Sequence, residues 1–110
     1  MKLIWEDNNK NKYVLGTLYK DDNYYYFEKN NEGLQEALNH GCFGIGSMDL
    51  SKDIQKSETL FPFFQKRIPS IENIDIKDVL KSYNLEEYDE YELLKRTHGA
   101  LLTDKYYLED

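Results

Sequence analysis

Along this chain the spacing of apolar side chains changes once, from short strand-length runs to a helical period. That order constrains the fold more than any single residue does. Residues 2–6 (KLIWE) and 12–20 (KYVLGTLYK) read as two strands joined by a turn of Asp, Asn and Lys. A second turn, Asp21-Asp22-Asn23, leads into a third strand over residues 24–28 (YYYFE). The three predict an antiparallel meander. In the third strand Tyr25 and Phe27 point to one face, and Tyr24 and Tyr26 to the other. Rings on both faces read either as amphipathic residues at the rim of a sheet or as a sheet with neither face fully wet.

The rest of the chain is mainly helical in pattern. Asn30 or Asn31 is placed to cap a short helix carrying Leu34, Ala37 and Leu38 and closing at Gly41. Residues 42–48 (CFGIGSM) read as a short strand or irregular crossing, and residues 49–57 as a polar loop. Ser57 or Thr59 is placed to cap a helix with Leu60, Phe63, Phe64 and Ile68 on one stripe, Pro62 in its first turn and Pro69 as its stop. Asp75 is placed to cap the next, with Ile76, Val79, Leu80 and Tyr83 in helical register. Residues 85–95 carry Leu85, Tyr88, Tyr91 and Leu94 on a third helix, broken at Thr97-His98-Gly99, and residues 101–108 read as a closing strand. The expectation is a single α+β domain over residues 1–110, a small antiparallel sheet with helices packed over it and a last strand returning to it. Its expected core includes Trp5, Leu18, Phe27, Leu38, Leu60, Phe64, Val79, Leu80 and Leu94.

Charge and composition narrow the chemistry. With 14 Lys and Arg against 21 Asp and Glu, the net charge is −7, which disfavours direct binding to nucleic acid. A mimic of nucleic acid, or a domain that meets a basic partner, is compatible with it. One cysteine excludes an internal disulfide, and with two histidines it argues against a structural zinc site. The opening MKLIWEDNN has no apolar run of signal-peptide length, and no stretch approaches a membrane span, so the expected setting is cytoplasmic.

Catalytic motifs are sparse, and no cofactor or metal site is expected. Gly44-Ile45-Gly46 is half of a dinucleotide fingerprint, and small residues beside a crowded sheet explain it better. His40 and Cys42 are spaced to face each other on a strand, but no third group is evident to orient them. His98 reads as a helix-terminal residue near the last carbonyls rather than as a base. The run Glu86-Glu87-Tyr88-Asp89-Glu90-Tyr91-Glu92 reads either as the solvated face of an amphipathic helix or as a partner surface. In the second reading acids steer toward a basic patch and aromatic rings supply burial. Tyr24, Tyr26, Glu86, Glu87, Tyr88, Glu90 and Tyr91 are therefore the interface candidates.

The order of segments also resembles a known family. Leu15-Gly16-Thr17-Leu18 followed by Tyr26-Phe27-Glu28 is similar to the opening hairpin of the N-terminal subdomain of HipA-type serine/threonine kinases, the toxins of bacterial toxin–antitoxin systems. In that subdomain a VGxL strand precedes an FxY strand and a short WL helix. The stretch from Leu60 to Pro69 resembles the family's FFDNLLP helix. Asp89-Glu90-Tyr91-Glu92-Leu93-Leu94 with Gly99-Ala100-Leu101 resembles its DxFxLL…G…GA ending. Departures are clear: Phe43-Gly44-Ile45-Gly46-Ser47 replaces a Pro-Leu-Ser strand, and Gln65, Lys66, Arg67 and Ser70 replace the acidic turn. The kinase domain, with its ATP loop and catalytic aspartate, has no counterpart in these residues.

The resemblance implies the subdomain's fold without its enzyme activity, as in the HipS-like antitoxins. In those systems the subdomain is a separate protein that neutralises a HipT kinase, with a HipB-like DNA-binding protein as a further partner. The stretches 60–70 and 92–104 are also similar to the front region of bacterial HIRAN-domain proteins, where Arg67, Ser70, Arg96, Gly99, Thr103 and Asp104 fit the pattern. The function implied is a non-catalytic protein-binding module whose partner is a HipA/HipT-type kinase, with no direct contact to nucleic acid or membrane. The alternative is an inhibitor or accessory protein of a mobile element that turns an acidic surface toward a basic, nucleic-acid-binding target.

Overall fold

The computed structural model describes residues 1–110. Its first three elements are β1 (Lys2–Glu6), β2 (Lys12–Lys20) and β3 (Tyr25–Lys29), an antiparallel meander as the turns require. Helix α1 (Asn31–Asn39) follows, with Asn30 as the cap: its side chain accepts a hydrogen bond from the Gly33 amide. Next come β4 (Ile54–Ser57), α2 (Pro62–Gln65), α3 (Ile76–Ser82), α4 (Glu90–Thr97) and β5 (Tyr106–Glu109). The sheet order is β4-β3-β2-β1-β5, so the last strand pairs antiparallel with the first. The molecule is α+β, as its sequence pattern implies.

Helices α1, α2 and α4 cover one face of this sheet. Leu34 and Ala37 of α1, Phe63 and Phe64 of α2 and Leu94 of α4 share one core with Leu3, Trp5, Leu18, Phe27 and Leu108 of the strands. On the opposite face Lys2, Lys12, Glu28 and Lys56 are exposed, and Ile4, cross-strand from Val14 and Tyr107, is the buried residue. The pairing of β1 with β2 shifts register between Leu3 and Ile4, leaving Leu15 as the extra residue of a bulge. That bulge brings Leu15 and Gly16 both into the interior. Gly16 has to be glycine: a Cβ there would lie 2.3 Å from the Phe27 ring.

Arg67, just after α2, is the one buried charged side chain, 6% exposed. Its guanidinium donates to both carboxylate oxygens of Asp104, at 3.2 and 2.5 Å, and to the carbonyls of Gly99 and Tyr106 at 2.9 and 3.4 Å. It lies over the rings of Phe63 (4.5 Å) and Tyr106 (5.2 Å), so its hydrophobic plane is used as well as its charge. One guanidinium therefore ties α2, the turn after α4 and the closing strand together.

Several sequence expectations are corrected. Residues 54–57 are an edge strand within the stretch expected to be loop, because they pair with β3 through Phe27–Gln55 and Tyr25–Ser57. Ser57 thus belongs to a strand and caps no helix; α2 is a single turn entered through Pro62, without a side-chain cap. Residues 42–48 form the irregular crossing rather than the short strand, and Asp75, at the start of α3, makes no side-chain capping bond. The helix expected over 85–95 starts only at Glu90: Asp89 adopts an extended conformation (φ −138°) and its carboxylate accepts from the Glu92 amide. Strand β5 starts at Tyr106, not 101, because Leu101 and Leu102 turn out to solvent as Asp104 reaches Arg67. Leu38 is 40% exposed, since α1 buries Leu34 and Ala37 instead, and Val79 is only half-buried on the peripheral α3. The expected core residues Trp5, Leu18, Phe27, Leu60, Phe64, Leu80 and Leu94 are buried, Leu80 outside the main cluster.

Two stability outcomes follow. Phe64→Ala is expected to cost about 3–5 kcal/mol in urea unfolding, because the ring is fully buried against Phe27, Phe61 and Phe63. Asp104→Ala is expected to cost about 3 kcal/mol, because it strands a guanidinium whose other partners are neutral carbonyls. A loss below about 1 kcal/mol at Asp104 would show that the ion pair does not hold the closing strand in place.

Candidate functional site

The hairpin of β2 and β3 turns through Asp22 and Asn23. Asp21 closes it by accepting from the Asn23 and Tyr24 amides at 2.9 and 2.8 Å. Its second oxygen accepts from the Tyr26 hydroxyl at 2.7 Å. These hydrogen bonds, that from Tyr26 foremost, hold the Asp21 carboxyl below its ordinary range, and the same bond to Asp21 raises Tyr26. The register this turn imposes sets Tyr19 across from Tyr26, and their rings stack at 5.0 Å. Tyr24 meets Tyr26 edge-on at 6.4 Å, and the Lys56 ammonium of β4 sits 4.0 Å from the Tyr24 ring centroid. Three tyrosines and a lysine thus form one patch on the sheet face that no helix covers, with the half-exposed Ile54 two residues from Lys56 on the same strand face.

A second aromatic cluster lies back to back with the first, across β3. Tyr25, between Tyr24 and Tyr26 in the chain, points to the helix-covered face and meets Tyr91 of α4 at 6.5 Å. Lys20 lies over both rings and Lys95 over Tyr91. Burial, then the charges of Glu90 and Asp89, raise the Tyr25 hydroxyl; burial, then Asp110 and Glu92, raise Tyr91. Glu90 is half-buried at the start of α4, and burial, then Asp89, lift its carboxyl above the ordinary range.

The sequence candidates therefore do not form one surface. Tyr24 and Tyr26 belong to the uncovered sheet face. Glu86 and Glu87 are exposed in the bend between α3 and α4, not on a helix, and Glu86 edges an open depression of about 490 Å³ lined also by Lys77 and Lys81. Tyr88 is tied down, its hydroxyl donating to the Pro69 carbonyl at 2.7 Å. Glu90 and Tyr91 pack at the sheet's helix side. Tyr19 and Lys56 complete the outer patch. The hairpin register foretells Tyr19, whereas nothing in the polar stretch 49–57 announces Lys56.

The residues considered for catalysis make separate contacts within the fold. The His40 ring stacks on Tyr13 and its Nδ1 lies 2.8 Å from the Glu36 carbonyl. Cys42 is buried with its Sγ 3.5 Å from the Tyr106 hydroxyl, which itself donates to Gly44 at 2.5 Å. His98 ends α4 in the left-handed conformation, and its Nδ1 lies 3.0 Å from the Leu108 carbonyl. In Gly44-Ile45-Gly46, a Cβ at Gly46 would lie 2.7 Å from the Phe63 ring, whereas Gly44 has room and is held to glycine by its left-handed backbone (φ 98°). No group of three or more His, Cys, Asp or Glu is placed to hold a metal ion, and no helix is long and apolar enough to cross a membrane. Comparison of the chain with protein families, curated proteins and solved structures finds no match.

The lifted Glu90 carboxyl gives a signed pH dependence. A carboxyl whose folded pKa lies above its unfolded value stabilises the fold below the unfolded pKa, and that contribution is lost as pH rises through the folded one. Glu90→Gln should therefore raise the melting temperature relative to the native chain at pH 7 by more than it does at pH 4. The dipole at the start of α4 works in the opposite direction. An equal or reversed difference at the two pH values would show that the dipole outweighs burial.

Proposed function

We propose that this chain is a non-catalytic protein-binding domain, a HipS-like antitoxin that binds and neutralises a HipA/HipT-type serine/threonine kinase. Its contact surface is the uncovered face of the sheet. The observation that carries this reading is the patch of Tyr19, Tyr24 and Tyr26 with Lys56, aromatic side chains left on a sheet face that no helix covers. Tyrosines of this kind supply large apolar area with a polar tip, which is the composition of binding hot spots. The resemblance of residues 15–18, 26–28, 60–69 and 89–101 to the kinase subdomain supports the choice of partner, since such a subdomain carries a surface that packs against a kinase. Engagement of His40 with Tyr13 and Glu36, and of Cys42 with Tyr106, rather than with each other, supports a role without catalysis.

A second reading rests on the net charge of −7 and on Glu86 and Glu87, exposed in the bend before α4. In it the chain is a mobile-element inhibitor that sets an acidic surface against a basic, nucleic-acid-binding protein. One experiment separates the two. Tyr24→Ala with Tyr26→Ala, and separately Glu86→Lys with Glu87→Lys, are compared with the native chain for binding to a HipT-type kinase and suppression of its activity. Each variant is first checked for native-like unfolding. The tyrosine pair should weaken binding at least about tenfold, about 1.4 kcal/mol, and the lysine pair by less than about threefold. Loss confined to the lysine pair favours the acidic surface, and no binding by the native chain removes the kinase as partner.

A further inference from the structure

The two edges of the sheet differ in a way that points to how a partner is held. Along β5 the residues whose backbone faces away from β1 are Tyr106 and Leu108, because Glu6 donates to Lys105 and the ladder alternates from there. All four of their outward groups are taken. The Tyr106 amide donates to Asp104 and its carbonyl accepts from Arg67; the Leu108 amide donates to the His98 carbonyl and its own carbonyl faces the His98 ring nitrogen. That edge is sealed.

Strand β4 is the opposite case. Lys29 donates to Asp53, so Gln55 and Ser57 turn their backbone groups toward β3, and Ile54 and Lys56 turn theirs outward. Nothing in the chain bonds those outward amides and carbonyls. The side chains of the same two residues stand on the uncovered sheet face: Ile54 is 50% exposed, and Lys56 lies over the Tyr24 ring with no carboxylate within ion-pair distance. Asp21 has its oxygens engaged by Tyr26 and the turn amides, and Glu28, cross-strand from Ile54 on the same face, makes no ion pair with Lys56. The edge therefore offers two unmet backbone pairs, an apolar side chain, and a cation without an ion-pair partner.

We propose that β4 receives an extended acidic segment of a protein partner as an added strand, with a carboxylate opposite Lys56 and an apolar side chain opposite Ile54. This rests on the protein-binding reading above and specifies its mode. The two partner side chains stand two residues apart, both over the tyrosine patch. A second copy of this chain fits the edge poorly. Pairing two β4 strands about Gln55 sets Ile54 against Lys56 and leaves Lys56 without a carboxylate, in a contact of four residues from each chain. A short edge strand bearing lysine is a device against such self-pairing.

The probe is a synthetic peptide with glutamate and valine at alternate odd positions and threonine between them; its counterpart carries lysine for glutamate. Adding the glutamate peptide should slow hydrogen exchange at the Ile54 and Lys56 amides. The lysine peptide should bind at least about tenfold more weakly. Lys56→Glu should reverse that preference. Ile54→Pro removes an outward amide while leaving the ladder to β3 intact, and should abolish binding of the peptide and of the kinase. Absence of protection at Ile54 and Lys56, or protection that grows with protein concentration alone, overturns the proposal. If Ile54→Pro retains the kinase while the tyrosine pair loses it, strand addition falls and the protein-binding reading stands. If both variants retain it, the sheet-face reading falls as well.

Discussion

A guanidinium buried between two aromatic rings holds this small fold shut. Arg67 leaves α2 and reaches the turn that follows α4, where Asp104 meets it with both carboxylate oxygens and Gly99 and Tyr106 offer their carbonyls. Two stretches at least 32 residues apart in the chain thus meet at one side chain. The burial of a charge is unfavourable unless it is paired and hydrogen-bonded, so the surrounding residues are committed to this arrangement. Phe63 and Tyr106 flank the guanidinium, and the Tyr106 hydroxyl runs on to Gly44 beside Cys42, joining the segment after α1 to the same network. The Nε of Arg67 is its one buried donor without a partner.

This network also decides the asymmetry of the sheet. By anchoring residues 99–106 beside β5 it places Asp104 and His98 where they satisfy the outward groups of that strand, which closes one edge. The helices carry their apolar stripes to one face, so the other keeps its tyrosines and lysines in contact with water. One face and one edge remain available, and they adjoin at Tyr24, Ile54 and Lys56. The buried ion pair lies at the β5 end, and the exposed rings, Lys56 and the unpaired backbone lie at the β4 end.

Much of the first half is legible residue by residue. The turn at Asp21-Asp22-Asn23 specifies a hairpin, and the hairpin specifies that Tyr25 and Phe27 face inward and Tyr24 and Tyr26 outward. The start of α4 is legible too, in the Asp89-x-x-Glu92 capping pattern, although the apolar spacing of Leu85 and Tyr88 suggests an earlier start. Tyr88, at helical spacing but outside the helix, ties the bend back to Pro69 through its hydroxyl. The acidic candidates fail to form one surface for the same reason: the chain turns at Glu86 and Glu87 before the helix begins.

Local sequence by itself determines the period of each segment, the turns between them and the α+β class, because these depend on neighbours within a few residues. The edge strand Ile54–Ser57 is decided only in the tertiary structure: four mixed residues have no strand pattern of their own and become extended because β3 offers unpaired backbone beside them. Burial of Arg67 is likewise invisible in the sequence, since its cost is offset by Asp104, 37 residues away, and by rings that close over it. The exposure of Leu38 and Val79 has the same origin. A helical period names the residues that can share a face, whereas the partner against which the face packs decides which of them leave water.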